Sequence, residues 1–271
     1  MIEDGDQEET EPQDPAAAGC PEPTTPPPAP ATLRAHTFVR NWGSASDPVA
    51  LLCDGGEVYV VKARHNGRPE IARMMVAERV VCSIGRVLGA PVPEVAFVEV
   101  PAELVAAQPE LANFISGIAH GAKFIANTTE RDGINHADEA ENRVRFARLA
   151  VLFGWAHGAD HQFIYEKTPP HRVYSHDHGH FLPGGPNWSG ASLTQYDAHL
   201  DTVIAGGCNL TPVEINEAIT RLKGVVPADI EGVVAGVPVD WGITDAERTN
   251  LITFLRARRE SLINRYMPVL P

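Results

Sequence analysis

A lysine, a glutamate and two aspartates are spaced so that they could act together. Lys62 falls near the end of an apolar stretch, residues 58–63, that alternates like a strand. A charge among such neighbours is costly without a partner. Glu78 lies in the next helical stretch, on a face able to pack against that strand. A strand lysine paired with a helix glutamate can hold nucleotide phosphates. The plainer alternative is a solvated strand end beside an exposed helix position. Asp160 and Asp177 flank a hairpin expected from residues 163–165 and 173–175. A hairpin brings its ends together, so one carboxylate could act on a hydroxyl and the other on a metal. Magnesium prefers carboxylate and phosphate oxygens.

The same region is rich in histidine: His157, His161, His171, His176, His178 and His180. Histidine with aspartate can bind zinc, manganese or iron, so a metal-dependent hydrolase is a second reading. In an extended segment, however, His176, His178 and His180 would share one face and Asp177 the other. A hydrolase also leaves Lys62 and Glu78 without a role.

These side chains need a scaffold. Residues 36–40, 49–53 and 58–63 read as three antiparallel strands, with Asp54-Gly55-Gly56 as a hairpin turn. Residues 69–88 carry apolar side chains at helical spacing, ended by Gly89 and Pro91. Residues 95–100 form a further strand. Beyond them the pattern is mostly helical. A long helix spans residues 140–155, with Val144, Ala147, Leu149, Leu152 and Phe153 available for a core. Two capping boxes, at Thr211 and Thr244, start later helices, the last running to about Tyr266.

The chain has 271 residues and a formal charge of −13. Eight acidic residues and no Lys or Arg lie in residues 1–30, leaving 27 acidic against 22 basic elsewhere. Residues 1–32, acidic and proline-rich, are expected to be a disordered tail. The remainder lacks the basic footprint of a nucleic-acid binder. Cys20, Cys53, Cys82 and Cys208 form no C-x-x-C pair, which fits a reducing cytoplasm better than a disulfide framework. The N-terminus lacks the basic start and apolar stretch of a secretory signal. No apolar run approaches the ~20 residues needed to cross a bilayer.

In order along the chain, several motifs resemble the HipA-like kinase domain family. They are Gly43-Ser44 through Pro48, Tyr59-Val60-Val61-Lys62, Ala77-Glu78, Leu88-Gly89-Ala90-Pro91-Val92-Pro93-Glu94 and Asp177-His178-Gly179-His180. Pro238-Val239-Asp240-Trp241 and the helix around residues 254–259 extend the resemblance to roughly residues 36–265. It implies an α+β, two-lobed protein-kinase-like fold. A tail (1–32) would precede an antiparallel, sheet-rich N-lobe (33–126) and a mostly helical C-lobe (127–271).

The resemblance implies ATP and Mg2+ as cofactors. Lys62 would contact the phosphates, held by Glu78. Gly43, Ser44 and Ser46 would lie in the turn over the phosphates. Asp160 would orient or deprotonate the acceptor hydroxyl, and Asp177 would bind magnesium. The acceptor would be a protein Ser/Thr or a small molecule, and an antitoxin-like partner is implied as possible. Relatives carry a loop of the form D-R-H-x-x-N, whose asparagine binds metal. Here an ungapped comparison puts Tyr165 at that place and a shortened loop puts Gln162 there. The second is preferred, since residues 163–165 then match the expected strand. The altered loop leaves a nucleotide-binding pseudokinase as the alternative.

Overall fold

The computed structural model describes residues 32–44 and 46–267. The expected acidic tail therefore lies outside the described residues, except that Thr32 already belongs to the first strand. The first part is a closed barrel of five strands: β1 (Thr32–Asn41), β2 (Val49–Cys53), β3 (Val58–Lys62), β4 (Val95–Val100) and β5 (Gly117–Lys123). Their spatial order is β1-β2-β3-β5-β4. The expected three-stranded antiparallel run is present, with Asp54–Gly56 as its turn. The sheet is not wholly antiparallel, however. β1 pairs in parallel with β4 and closes the barrel. β5, with two glycines and two alanines, carries too weak an apolar alternation to be read as a strand, although it pairs with both β3 and β4.

Alternation sorts the barrel's side chains between two environments. Leu51, Val61, Val98 and Ala119 fill its interior. Val60 and Lys62, with their β5 partners Ala122 and His120, line a cleft outside it.

Helix α1 (Pro69–Leu88) crosses from the barrel into the larger core. It begins with proline at its first position and ends on Gly89, whose φ of 75° places it in the left-handed region that glycine enters readily. A short α2 (Ala102–Ala107) follows β4. A second sheet joins β6 (Thr128–Glu130), β7 (Phe163–Glu166) and β8 (Val173–Ser175). The expected hairpin is present as β7–β8, with Phe163 opposite Ser175.

Helix α3 (Ala140–Ala156) lies against α1 and is buried along most of its length. Val144 is an exception to the expected core set, at 38% exposed. Helices α4 (Thr202–Gly207), α5 (Pro212–Gly224), α6 (Pro227–Ala235) and α7 (Asp245–Tyr266) complete the chain. Both expected capping boxes are formed, at Thr211 and Thr244. Among the described residues, no helix is long and apolar enough to cross a membrane.

Candidate nucleotide site

Lys62 and Glu78 are both buried, and Lys62 Nζ donates to Glu78 Oε2 at 2.9 Å. The solvated alternative for this pair is thereby excluded. The same ammonium donates to Asp177 Oδ1 at 2.5 Å, across 115 residues of sequence. Burial opposes the charge on Lys62, but the two carboxylates outweigh it and raise its pKa above the usual lysine value. Burial likewise works against charge on Glu78, yet Lys62 and His178 hold its carboxyl well below the normal range. Three charged groups are thus fixed at the junction of β3, α1 and the turn after β8.

A second layer supports them. Asp177 adopts a left-handed conformation (φ 54°) and enters a 3-10 turn, His178–His180. His178 is fully buried. Its Nε2 lies 2.9 Å from Ser175 Oγ, and its Nδ1 lies 3.3 Å from Cys82 Sγ and 3.5 Å from Glu78 Oε1. It therefore bridges the Asp177 turn and α1. Sequence spacing gave no sign of this, because Cys82 and His178 are 96 residues apart. The turn also separates the three histidines expected to share a face. His176 lines the cleft, His178 is buried and His180 is exposed. Among the described residues, neither group of side chains close enough to share a metal contains His176, Asp177 or His180.

The cleft has a volume of about 370 Å³. Its apolar lining comes from Val60 and Ala122 of the barrel, Ile164 of β7, and Phe124 and Ile125. Ser44, Lys62, Glu78, Gln162 and Asp177 supply polar atoms. His120 stands beside Lys62 on the neighbouring strand, and burial pulls its pKa down to about 3, so it is neutral at ordinary pH.

Of the turn expected over the phosphates, Ser44 lines the cleft. Gly43 is exposed with φ 60°, while Ser46 is buried and is not part of the cleft wall. Asp160 is half-buried just outside the lining, where its Oδ2 accepts from Gln162 Nε2 at 2.7 Å. Its loop is fixed by His161, which stacks on Phe153 at 5.0 Å and bonds Asp201 Oδ2 at 2.9 Å. Tyr165 is fully buried, and its hydroxyl donates to the carbonyl of Gly133. It does not line the cleft, whereas Gln162 does. Asp177 and Gln162 therefore offer the cleft a carboxylate and an amide oxygen. Such hard oxygen donors suit a small divalent cation better than a soft one.

A family profile described as HipA-like kinase matches residues 40–161. That segment contains the barrel strands β2 to β5, the Lys62–Glu78 pair, α3 and Asp160, and in it the chain is similar to HipA-like kinases. The class so defined is a kinase, a phosphotransferase. The chain is similar in fold to CtkA, a proinflammatory kinase of Helicobacter pylori. The TM-score is 0.55 at 11% identity, covering 88% of this chain and 98% of that one. The fold is accordingly protein-kinase-like, with mixed helix and strand. Weaker likenesses include HipA of Shewanella oneidensis MR-1, solved with HipB and operator DNA (TM-score 0.44, 11% identity, 86% and 66% of the two chains). Another is a Golgi casein kinase with Mn/ADP bound (TM-score 0.42, 10% identity, 88% and 75%). No curated protein matches the chain in sequence.

Proposed function

We propose that this protein is an ATP- and magnesium-dependent kinase that transfers the γ-phosphoryl group to a hydroxyl, on a protein Ser or Thr. The carrying observation is Lys62 Nζ, bonded at once to Glu78 and Asp177 on the wall of a cleft. In this reading the barrel with α1 forms one lobe and the helical part the other. The adenine lies between the Val60/Ala122 wall and Ile164, and the phosphates lie toward Lys62 and Ser44. Glu78 keeps Lys62 charged and aimed. Lys62 draws the phosphate oxygens to the Asp177 end of the cleft. Asp177 and Gln162 would hold the magnesium, which neutralises phosphate charge when bound. Asp160 accepts the proton of the acceptor hydroxyl.

The test is nucleotide binding with and without Mg2+, followed by transfer of labelled γ-phosphate to the protein itself or to a mixed protein acceptor. Lys62→Arg and Asp177→Asn should fold and lose turnover by at least about 100-fold. Absence of any Mg2+-dependent nucleotide binding by the wild type defeats the proposal.

One observation favours a second reading, a nucleotide-binding module without transfer. Asp160 is tied to Gln162, the side chain that the shortened-loop comparison puts in the asparagine's place. Transfer activity that disappears in Asp160→Asn rules this second reading out.

A further inference from the structure

The histidines not used by the cleft are distributed unevenly. His136, in the segment before α3, and His171, in the β7–β8 connection, meet with Glu139 beside them. The donor atoms of these three side chains all lie within 4.8 Å of one another, and His136 Nδ1 is 3.5 Å from Glu139 Oε1. We propose that His136, Glu139 and His171 form a site for a divalent transition metal, with zinc the ion best matched to two imidazoles and a carboxylate. The proposal does not depend on the nucleotide reading.

Three features show that the site is built. First, the tautomer of His171 is decided by its neighbour. Nδ1 lies 3.0 Å from the carbonyl oxygen of Glu166, which can only accept. Nδ1 therefore carries the proton and Nε2 keeps its lone pair free. A backbone carbonyl holding the far nitrogen is the usual support of a metal-bound histidine. Second, the backbones of the two histidines are held together by one buried side chain. Asn142, fully buried at the start of α3, donates Nδ2 to the carbonyl of His136 at 3.0 Å and to that of His171 at 2.9 Å. Its Oδ1 accepts from the backbone of Val173. Third, both histidines hold positive φ, 53° and 49°, which is uncommon outside glycine and here occurs twice at one contact.

The rings are stacked at 4.2 Å with their planes 23° apart. Bringing both nitrogens to the ~2.1 Å of a zinc–imidazole bond requires the rings to turn apart. That rotation falls to His136, whose side chain is 26% exposed and which lies in a loop, while the Glu166 carbonyl holds His171. Three protein ligands leave a fourth position for water. The other group of possible ligands, Glu78, Cys82 and His178, is closed to a cation because Lys62 already occupies Glu78. A metal at His136, Glu139 and His171 would fasten the tip of the β7–β8 hairpin to the segment leading into α3. It would thereby brace β6, whose Thr128 and Glu130 line the cleft.

The experiment uses the full chain, stripped with chelator and dialysed. Zn2+ is titrated by calorimetry, and Co2+ by visible absorption, where a four-coordinate site gives intense bands. One site per chain is expected, with a rise in Tm on adding zinc. His136→Ala and His171→Ala should each weaken binding by roughly 100-fold and abolish the Tm rise. Glu139→Gln, a milder change on a partly exposed helix cap, should weaken it about tenfold while leaving the circular dichroism spectrum unchanged. A wild type that binds no zinc overturns the proposal. So does binding that persists unchanged in the His136→Ala/His171→Ala double variant, which would mean adventitious ion on other histidines or cysteines.

Discussion

Lys62 illustrates how little freedom a buried charge has. At 4% exposure its ammonium persists only because Glu78 and Asp177 compensate the lost water. Removing it should do more than abolish phosphate binding. Lys62→Met strands the Glu78 carboxylate in the interior, at a cost of about 3–5 kcal/mol. Adding Glu78→Gln to that variant should recover a large part of the loss while nucleotide binding stays absent. Urea unfolding of the single and double variants, with nucleotide titration of each, checks both statements. Equal stability of Lys62→Met and wild type would mean that the ion pair is not buried in solution.

At the scale of elements, α3 is the strut that carries the Asp160 loop. Gly154 lets the helix approach the chain at His199, because a Cβ there would collide with the His199 carbonyl oxygen. Gly154→Ala should cost about 1–3 kcal/mol by displacing that loop, read as a lower denaturation midpoint. The other end of α3 is tied to α5 through Arg143, whose Nε and Nη2 grip Glu214 at 2.5 and 2.8 Å. Those bonds, with the capping bonds from Thr211, pull the Glu214 pKa down to about 2 from its usual 4.5. A folded-state pKa below the unfolded one gives stability that is complete above pH 4.5 and is lost as pH falls toward 2. Arg143→Ala should therefore destabilise the protein clearly at pH 7 and much less at pH 2.5. Thermal unfolding of both proteins across that range tests the sign.

Across the whole molecule, the cleft requires the barrel and the helical part to keep their separation. Trp241 is one of the links. It is buried, its indole N–H donates to the carbonyl of Ile118 on β5 at 2.9 Å, and its ring meets Phe97 of β4 edge-on. Arg64 adds a bond to the carbonyl of Asp240. Trp241→Ala should lower stability by about 3–5 kcal/mol. It should also weaken nucleotide binding, although Trp241 does not line the cleft. An unchanged Kd in a folded Trp241→Ala protein would show that the two parts hold their spacing without it.

The local structure was largely written in the sequence. The β2–β3 hairpin, α1 with its Pro69 start and Gly89 stop, and both capping boxes follow from interactions between residues a few positions apart. Lys62 at the end of β3 and Asp177 just after β8 could be picked out for the same reason, and Glu78, midway along α1, by helical spacing. What local pattern lacks is distance across the chain. β5 and the parallel β1–β4 closure depend on pairing between remote strands, and β5 has too little alternation to announce itself. Ser46 was assigned by position in a motif, and only packing showed it buried outside the cleft wall; packing likewise placed Tyr165 in the core and left Gln162, the preferred candidate, on the cleft. The bond from Lys62 to Asp177, the His178 bridge to Cys82 and the meeting of His136 with His171 are likewise properties of the folded chain. Each depends on which buried polar group finds a partner, and that is decided by tertiary contact.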